Sequence, residues 1–229
     1  MEKSFSIFFI GVIVVLSGCK NQTDWHRDGL NSKVKSVQQL EYIVENRFGE
    51  WQKTELENFG SHSLTEYDED GMIISLTGLN NDLTLMYKNI RSYEYSTPIE
   101  ETLYDEDGRK FQQRVIMGYS SDGWSFEDFD NDGNKIRIGQ VLLENNRIAR
   151  FTYNNIEDSS KYIIDYMHGD NGLVLEEHTM YRDNEEEHTF TTTYEYLSTD
   201  KKGNWLERLY FTDDDDNPLY MHVRTYEYY

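Results

Sequence analysis

The sequence is poor in cysteine, in proline and in positive charge. Its 229 residues contain one Cys and two Pro, and 22 Lys and Arg stand against 43 Asp and Glu. A single cysteine excludes any disulfide within the chain and any cysteine-based zinc site. The scarcity of proline leaves long segments free to pair backbone to backbone. A net charge of −21 repels nucleic-acid phosphates and anionic lipid headgroups, which excludes nucleic acid as a partner. Long apolar runs are absent as well, except at the start. There, residues 5–16 follow Lys3, about a dozen residues where a membrane-crossing helix needs ~20.

That opening segment, "MEKSFSIFFIGVIVVLSGC", has a charged head, an apolar run and a small-residue end, the order of a secretory signal peptide. Residues 16–19, "LSGC", resemble the lipobox of bacterial lipoproteins. The resemblance implies cleavage after residue 18 and lipidation of Cys19, the only cysteine. Two or three acyl chains hold a protein stably on a membrane, since each buried CH₂ contributes about 0.8 kcal/mol. The expected organisation is therefore a signal peptide over residues 1–18, a lipid-anchored tether over 19–32 and one domain over 33–229. Lys20, in the place where Asp would retain a lipoprotein at an inner membrane, favours the outer membrane of a Gram-negative bacterium, with the domain periplasmic or surface-exposed.

After the tether the apolar residues alternate. "KIRIGQ" sets Ile136 and Ile138 against Lys135 and Arg137, while "YMHVRTYEYY" carries bulky side chains on both faces. With 18 Tyr and 11 Phe, this composition favours strands. Residues 32–59 lack a clean helical stripe and read as strand. A repeat is the main organising feature: "EYDEDGMII" from Glu66, "LYDEDGRKF" from Leu103 and "DFDNDGNKI" from Asp128 share an aromatic, an Asp, a Gly and a following strand. Weaker copies begin at Tyr119, Tyr166, Ser198 and Phe211. Each unit reads as a strand, a polar turn with Gly at a position needing positive φ, and a returning strand.

These units, with "KKGNWLERLYF", resemble the YD repeats of RHS-type proteins and RHS-like bacterial lipoproteins. The resemblance implies an all-β fold, an open, twisted, repetitive antiparallel meander forming a single extended sheet, and it carries over no catalytic residue. Mean hydropathy of −0.79 agrees with a sheet wetted on much of one face.

Candidate sites were weighed on their chemistry. Asp128, Asp130, Asp132 and Gly133 match the first half of a calcium loop, but position 9 is Ile136 and position 12, where a bidentate Glu belongs, is Gly139. A hairpin turn is the better reading. The acidic "TDDDDNP" from Thr212 reads as a solvated loop tip, and the six histidines show no zinc spacing. No GxSxG, GxGxxG or phosphate loop occurs. The expectation is thus no catalytic, cofactor or metal residue and a non-catalytic binding or scaffolding module. Its partner would be an envelope protein reached through exposed sheet edges or the acidic face. The alternative is a carbohydrate-binding surface protein stacking sugar rings on Trp124 and Trp205, and a more remote one is a glycan-active enzyme.

Overall fold

The computed structural model describes residues 23–58, 60–183, 186–213 and 215–229. The signal peptide and Cys19 lie outside the described residues. A short helix, α1 (Asp24–Arg27), precedes fifteen strands. They are β1 (Val34–Arg47), β2 (Glu50–Leu56), β3 (Ser63–Tyr67), β4 (Ile73–Leu79), β5 (Leu85–Glu94), β6 (Thr97–Asp105), β7 (Lys110–Ser120) and β8 (Gly123–Asp130). β9 (Lys135–Glu144), β10 (Arg147–Asn155), β11 (Lys161–His168), β12 (Val174–Asp183), β13 (Glu186–Thr199), β14 (Trp205–Thr212) and β15 (Tyr220–Tyr228) complete the series.

From β3 onward every strand pairs antiparallel with the next in sequence, as a chain of hairpins does. The sheet does not stay open. β15 pairs with β1 over a register running from Val34↔Tyr228 to Ile43↔Tyr220, and β1 pairs on its other side with β3. Fourteen strands thus form a closed barrel, and β2 lies outside the ring, paired with the C-terminal half of β1. The expected open meander is therefore wrong in its central feature, although the chain is all-β. Closure satisfies the backbone groups of both terminal strands and removes the edges an open sheet would expose. Among the described residues only β2 keeps an edge, and the ion pair Lys53–Glu207 at 3.1 Å holds it against the outside of β14.

The turns explain the repeat. In four of them, Asp68, Asp105, Asp130 and Asp200, the Asp side chain accepts the N–H groups of the residues two and four positions on. The Gly in each donates its N–H to the carbonyl of the same Asp. Gly133 has φ +82° and open space where a Cβ would stand, so the turn requires its backbone freedom alone. Two such turns lie at each end of the barrel.

Side chains alternate between lumen and exterior along each strand. The outward rows mix polar and apolar residues and carry the ion pairs Lys88–Glu66, Lys135–Glu127 and Arg150–Asp165. The inward rows are filled in two ways. Around β8 to β10, Phe126, Val141 and Leu143 pack with Trp124, Phe151 and Tyr153. Gly139 makes room there, since a Cβ on it would fall 2.1 Å from the Phe126 ring. At the end of the barrel where β15 finishes, the segment before β1 turns into the mouth. Trp25 and Leu30 pack on Val34, Val37 and Tyr67, and the Trp25 Nε1–H donates to the Val34 carbonyl at 2.8 Å. The described part of the expected tether, residues 23–32, is thereby a plug.

Candidate functional site

Between the plug and the middle of the barrel lies a cavity of about 450 Å³. Its walls come from strands on opposite sides of the ring, β1, β3, β4 and β5 on one side and β10, β11, β12, β14 and β15 on the other, so it is the lumen itself.

The inner face of the barrel carries a ladder of alternating charge, of which Arg91 borders the cavity. Arg91, Glu101, Arg114, Asp128, Arg137 and Asn155 are successive register partners from β5 to β10. Arg91 meets Glu101 at 2.6 Å, Arg114 meets Asp128 at 2.8 Å and Glu101 at 3.5 Å, and Arg137 meets Asp128 at 3.3 Å. Arg137 also donates to Asn155 at 3.1 Å. Burial alone would raise the Glu101 carboxyl, but Arg91 and Arg114 outweigh it and hold it below its ordinary value. The plug joins this ladder through Asp24, which pairs with Arg27, meets Arg91 at 3.3 Å and accepts the Tyr93 hydroxyl at 2.6 Å.

The opposite wall is built differently. Arg208 of β14 donates from Nε to His222 Nδ1 at 3.1 Å, and His222 Nε2 lies 2.7 Å from Glu41 Oε2. An imidazole that accepts at Nδ1 carries its proton on Nε2 and is neutral, which agrees with a pKa lowered first by burial and further by Arg208 and Arg224. Arg208 stacks on Tyr194 with 3.8 Å from guanidinium carbon to ring centre, and on Trp205 at 4.7 Å. Arg224 of β15 lies 4.1 Å from the centre of the same Trp205 ring and donates from Nε to Gln39 at 2.9 Å. Among the described residues no carboxylate comes within ion-pair distance of either arginine.

Two carboxylates face this region. Glu177 accepts the Tyr194 hydroxyl at 2.8 Å and Asp28 accepts the Tyr67 hydroxyl at 2.5 Å. Burial raises the pKa of both, against the lowering effect of those hydrogen bonds and of the arginines. A second cavity of about 560 Å³, at the rim beside Arg147 and Gly172, shares Tyr166 and His168 with the lining of the lumen.

The residues singled out in the sequence fall elsewhere. Trp205 is 4% exposed, its ring taken by two guanidiniums and the edge of Tyr196. Trp124 is half-buried on β8, stacked on Tyr119 at 5.5 Å beside the Arg27 of the plug. The two indoles stand six strands apart around the ring and share no groove. Asp128 belongs to the ladder, whereas Asp130 caps its own turn. Asp213 and Asp215 of the acidic loop likewise accept backbone N–H groups, and Asp214 lies outside the described residues. His62 bonds the Glu41 N–H and the Glu57 carbonyl, while His188 is exposed beside Tyr181. The functional candidates that sequence reasoning passed over are Arg208, Arg224 and His222. Their signal was present: each stands in phase with tyrosines, Arg208 with Tyr210, and His222 and Arg224 with Tyr226 and Tyr228.

No protein-family model matches the chain, and no curated protein does. Among solved structures it is similar to a porin-like protein from Bacteroides uniformis ATCC 8492, with 12% identity, 86% of this chain and 98% of that one covered, and a TM-score of 0.47. A porin-like protein from Bacteroides vulgatus ATCC 8482 gives 13% identity, 86% and 99% coverage and a TM-score of 0.49. Superposition of that degree leaves the role of the barrel to be argued from this chain's own residues.

Proposed function

We propose that this chain is a Gram-negative envelope lipoprotein, anchored to the outer membrane through Cys19, whose plugged barrel is a non-catalytic module binding a small polar ligand in its lumen. The observation that carries this reading is the cavity of about 450 Å³ lined by Arg208 and Arg224, neither of which lies within ion-pair distance of a carboxylate among the described residues. Small-molecule sites of roughly 300–1,000 Å³ with a few convergent polar groups are of this kind. The exterior supports a barrel hanging from its lipid. Barrels that span a membrane face hydrocarbon with an apolar band ~25 Å tall, whereas the outward rows here carry Lys88–Glu66, Lys135–Glu127 and Arg150–Asp165. A partner reached through a sheet edge would have to pair with β2, the strand that keeps an edge among the described residues.

Two experiments test the reading. Metabolic labelling with a clickable fatty acid should mark the wild type and not Cys19→Ala, and label retained by the variant refutes the anchor. Thr65 lines the lumen, so Thr65→Cys in the Cys19→Ala background should react with a small neutral thiol reagent while the protein stays folded. A thiol that reacts only on denaturation refutes entry of a ligand.

A further inference from the structure

We infer that the lumen binds an acidic sugar, with the ligand carboxylate held by Arg208 and Arg224 and its hydroxyls by Asp28, Glu177 and Gln39. This rests on the proposed lumenal site and specifies what fills it. Acids outnumber bases almost two to one in this chain, so two half-buried arginines that meet no carboxylate within ion-pair distance among the described residues are conspicuous. Elsewhere in the lumen the rule is followed: Arg91, Arg114 and Arg137 each meet a carboxylate. Arg208 and Arg224 instead donate from Nε to His222 and Gln39 and lay their flat faces on Trp205, and Arg208 also donates from Nη1 to the Tyr196 hydroxyl at 3.3 Å. Stacking fixes the guanidinium planes and so lowers the entropy lost when they grip a ligand. Both guanidiniums line the same cavity, so an anion held in it meets two positive charges. The planar fork of arginine matches a carboxylate in two-point contact.

The rest of the cavity sets the body of the ligand. Asp28 and Glu177 are acceptors suited to hydroxyl donors, and Gln39, Ser63 and Thr65 add short polar contacts. Ile73, Leu76 and Val174 supply apolar wall between them. A purely inorganic anion would leave these groups without a partner, and a neutral sugar would bring no charge to either guanidinium. A hydroxylated ring bearing a carboxylate uses both sets.

The test titrates the acylated full-length mature protein, in detergent at pH 7 and constant ionic strength, with sodium glucuronate, glucose and sodium sulfate, read by calorimetry. Glucuronate should bind at one site, at least about tenfold tighter than glucose or sulfate. A charge-assisted hydrogen bond is worth about 1.5–3 kcal/mol, so Arg208→Gln or Arg224→Gln should each weaken glucuronate about 10- to 100-fold. Arg224→Lys, which keeps the charge and the stem but loses the fork, should fall between; it serves if either Gln variant fails to fold by circular dichroism. Equal binding of sulfate and glucuronate overturns the sugar, equal binding of glucose overturns the role of the arginines, and no heat with glucuronate overturns the inference. If Thr65→Cys is then still reactive in the folded protein, the lumenal site survives and only its ligand is wrong.

Discussion

Asp128 is the sharpest point at which to perturb the barrel. Its side chain is 0% exposed and is gripped by Arg114 at 2.8 and 3.1 Å and by Arg137 at 3.3 Å. Asp128→Ala leaves two guanidiniums facing each other across β8 with nothing between them. Removing one partner of a buried ion pair costs about 3–5 kcal/mol. The arginine side chains are 20% and 29% exposed, so water can partly resolvate them and the lower end, about 3 kcal/mol, is expected. For a chain of this size that lowers the melting temperature by roughly 6–12 °C. Asp128→Asn keeps one acceptor for Arg114 and should lose about half as much. Urea denaturation followed by circular dichroism reads the difference as a shift in midpoint at constant slope. A loss below about 0.5 kcal/mol for Asp128→Ala, the range of ordinary surface changes, would refute the ladder as a structural element.

The same stretch supplies a contrast. Asp130→Asn retains the carbonyl that accepts the Asp132 and Asn134 N–H groups and should change stability by less than about 0.5 kcal/mol, with or without calcium. Gly133→Val forces a branched residue to φ +82° and should cost about 1–2 kcal/mol in the same melts, while Gly133→Asn recovers part of it. Trp25→Ala removes the buried wedge of the plug and its bond to Val34. A loss of about 3–5 kcal/mol is expected, together with faster thiol labelling of Thr65→Cys; unchanged labelling would deny the plug its role. Glu101 titrates below its ordinary value in the folded state, so it contributes stability above the unfolded-state pKa that is lost as pH falls through the lowered one. Wild type should therefore lose melting temperature on acidification more steeply than Glu101→Gln, and parallel profiles would contradict the assignment.

Strand content and turn chemistry were legible in the sequence because both are local. The Asp and Gly of "YDEDG" satisfy one turn without reference to the rest of the chain, and alternation within "KIRIGQ" needs only its own hairpin. Closure was not legible. It depends on β1 meeting β15, and the contact between Arg224 and Gln39 joins residues 185 positions apart. No repeat encodes that. The low apolar content argued for a wet open sheet against a two-sheet sandwich with a dry interior, whereas this closed interior is held by Arg114, Asp128, Arg137 and stacked tyrosines. The bulky residues on both faces of "YMHVRTYEYY" had a simple origin: its inward row of His222, Arg224 and Tyr226 is lumen, and Met221 on the outer face is buried as well. Residues 23–32 looked like tether because a plug of this length has no periodicity to detect, only Trp25 and Leu30 spaced to fit a mouth formed elsewhere in the chain.

Plug, lumen and ligand site all depend on the ring being closed, and a disulfide across the seam tests closure directly. Gln38 and Thr225 are register partners on β1 and β15. Directly paired strand residues lie about 4.5–5.5 Å apart between Cα atoms, within the range a disulfide spans. In a Cys19→Ala background, Gln38→Cys with Thr225→Cys should oxidise to a monomer that migrates faster on a non-reducing gel and melts at higher temperature than its reduced form. An open meander puts these positions at opposite ends of the sheet, and it would give free thiols or intermolecular dimers only.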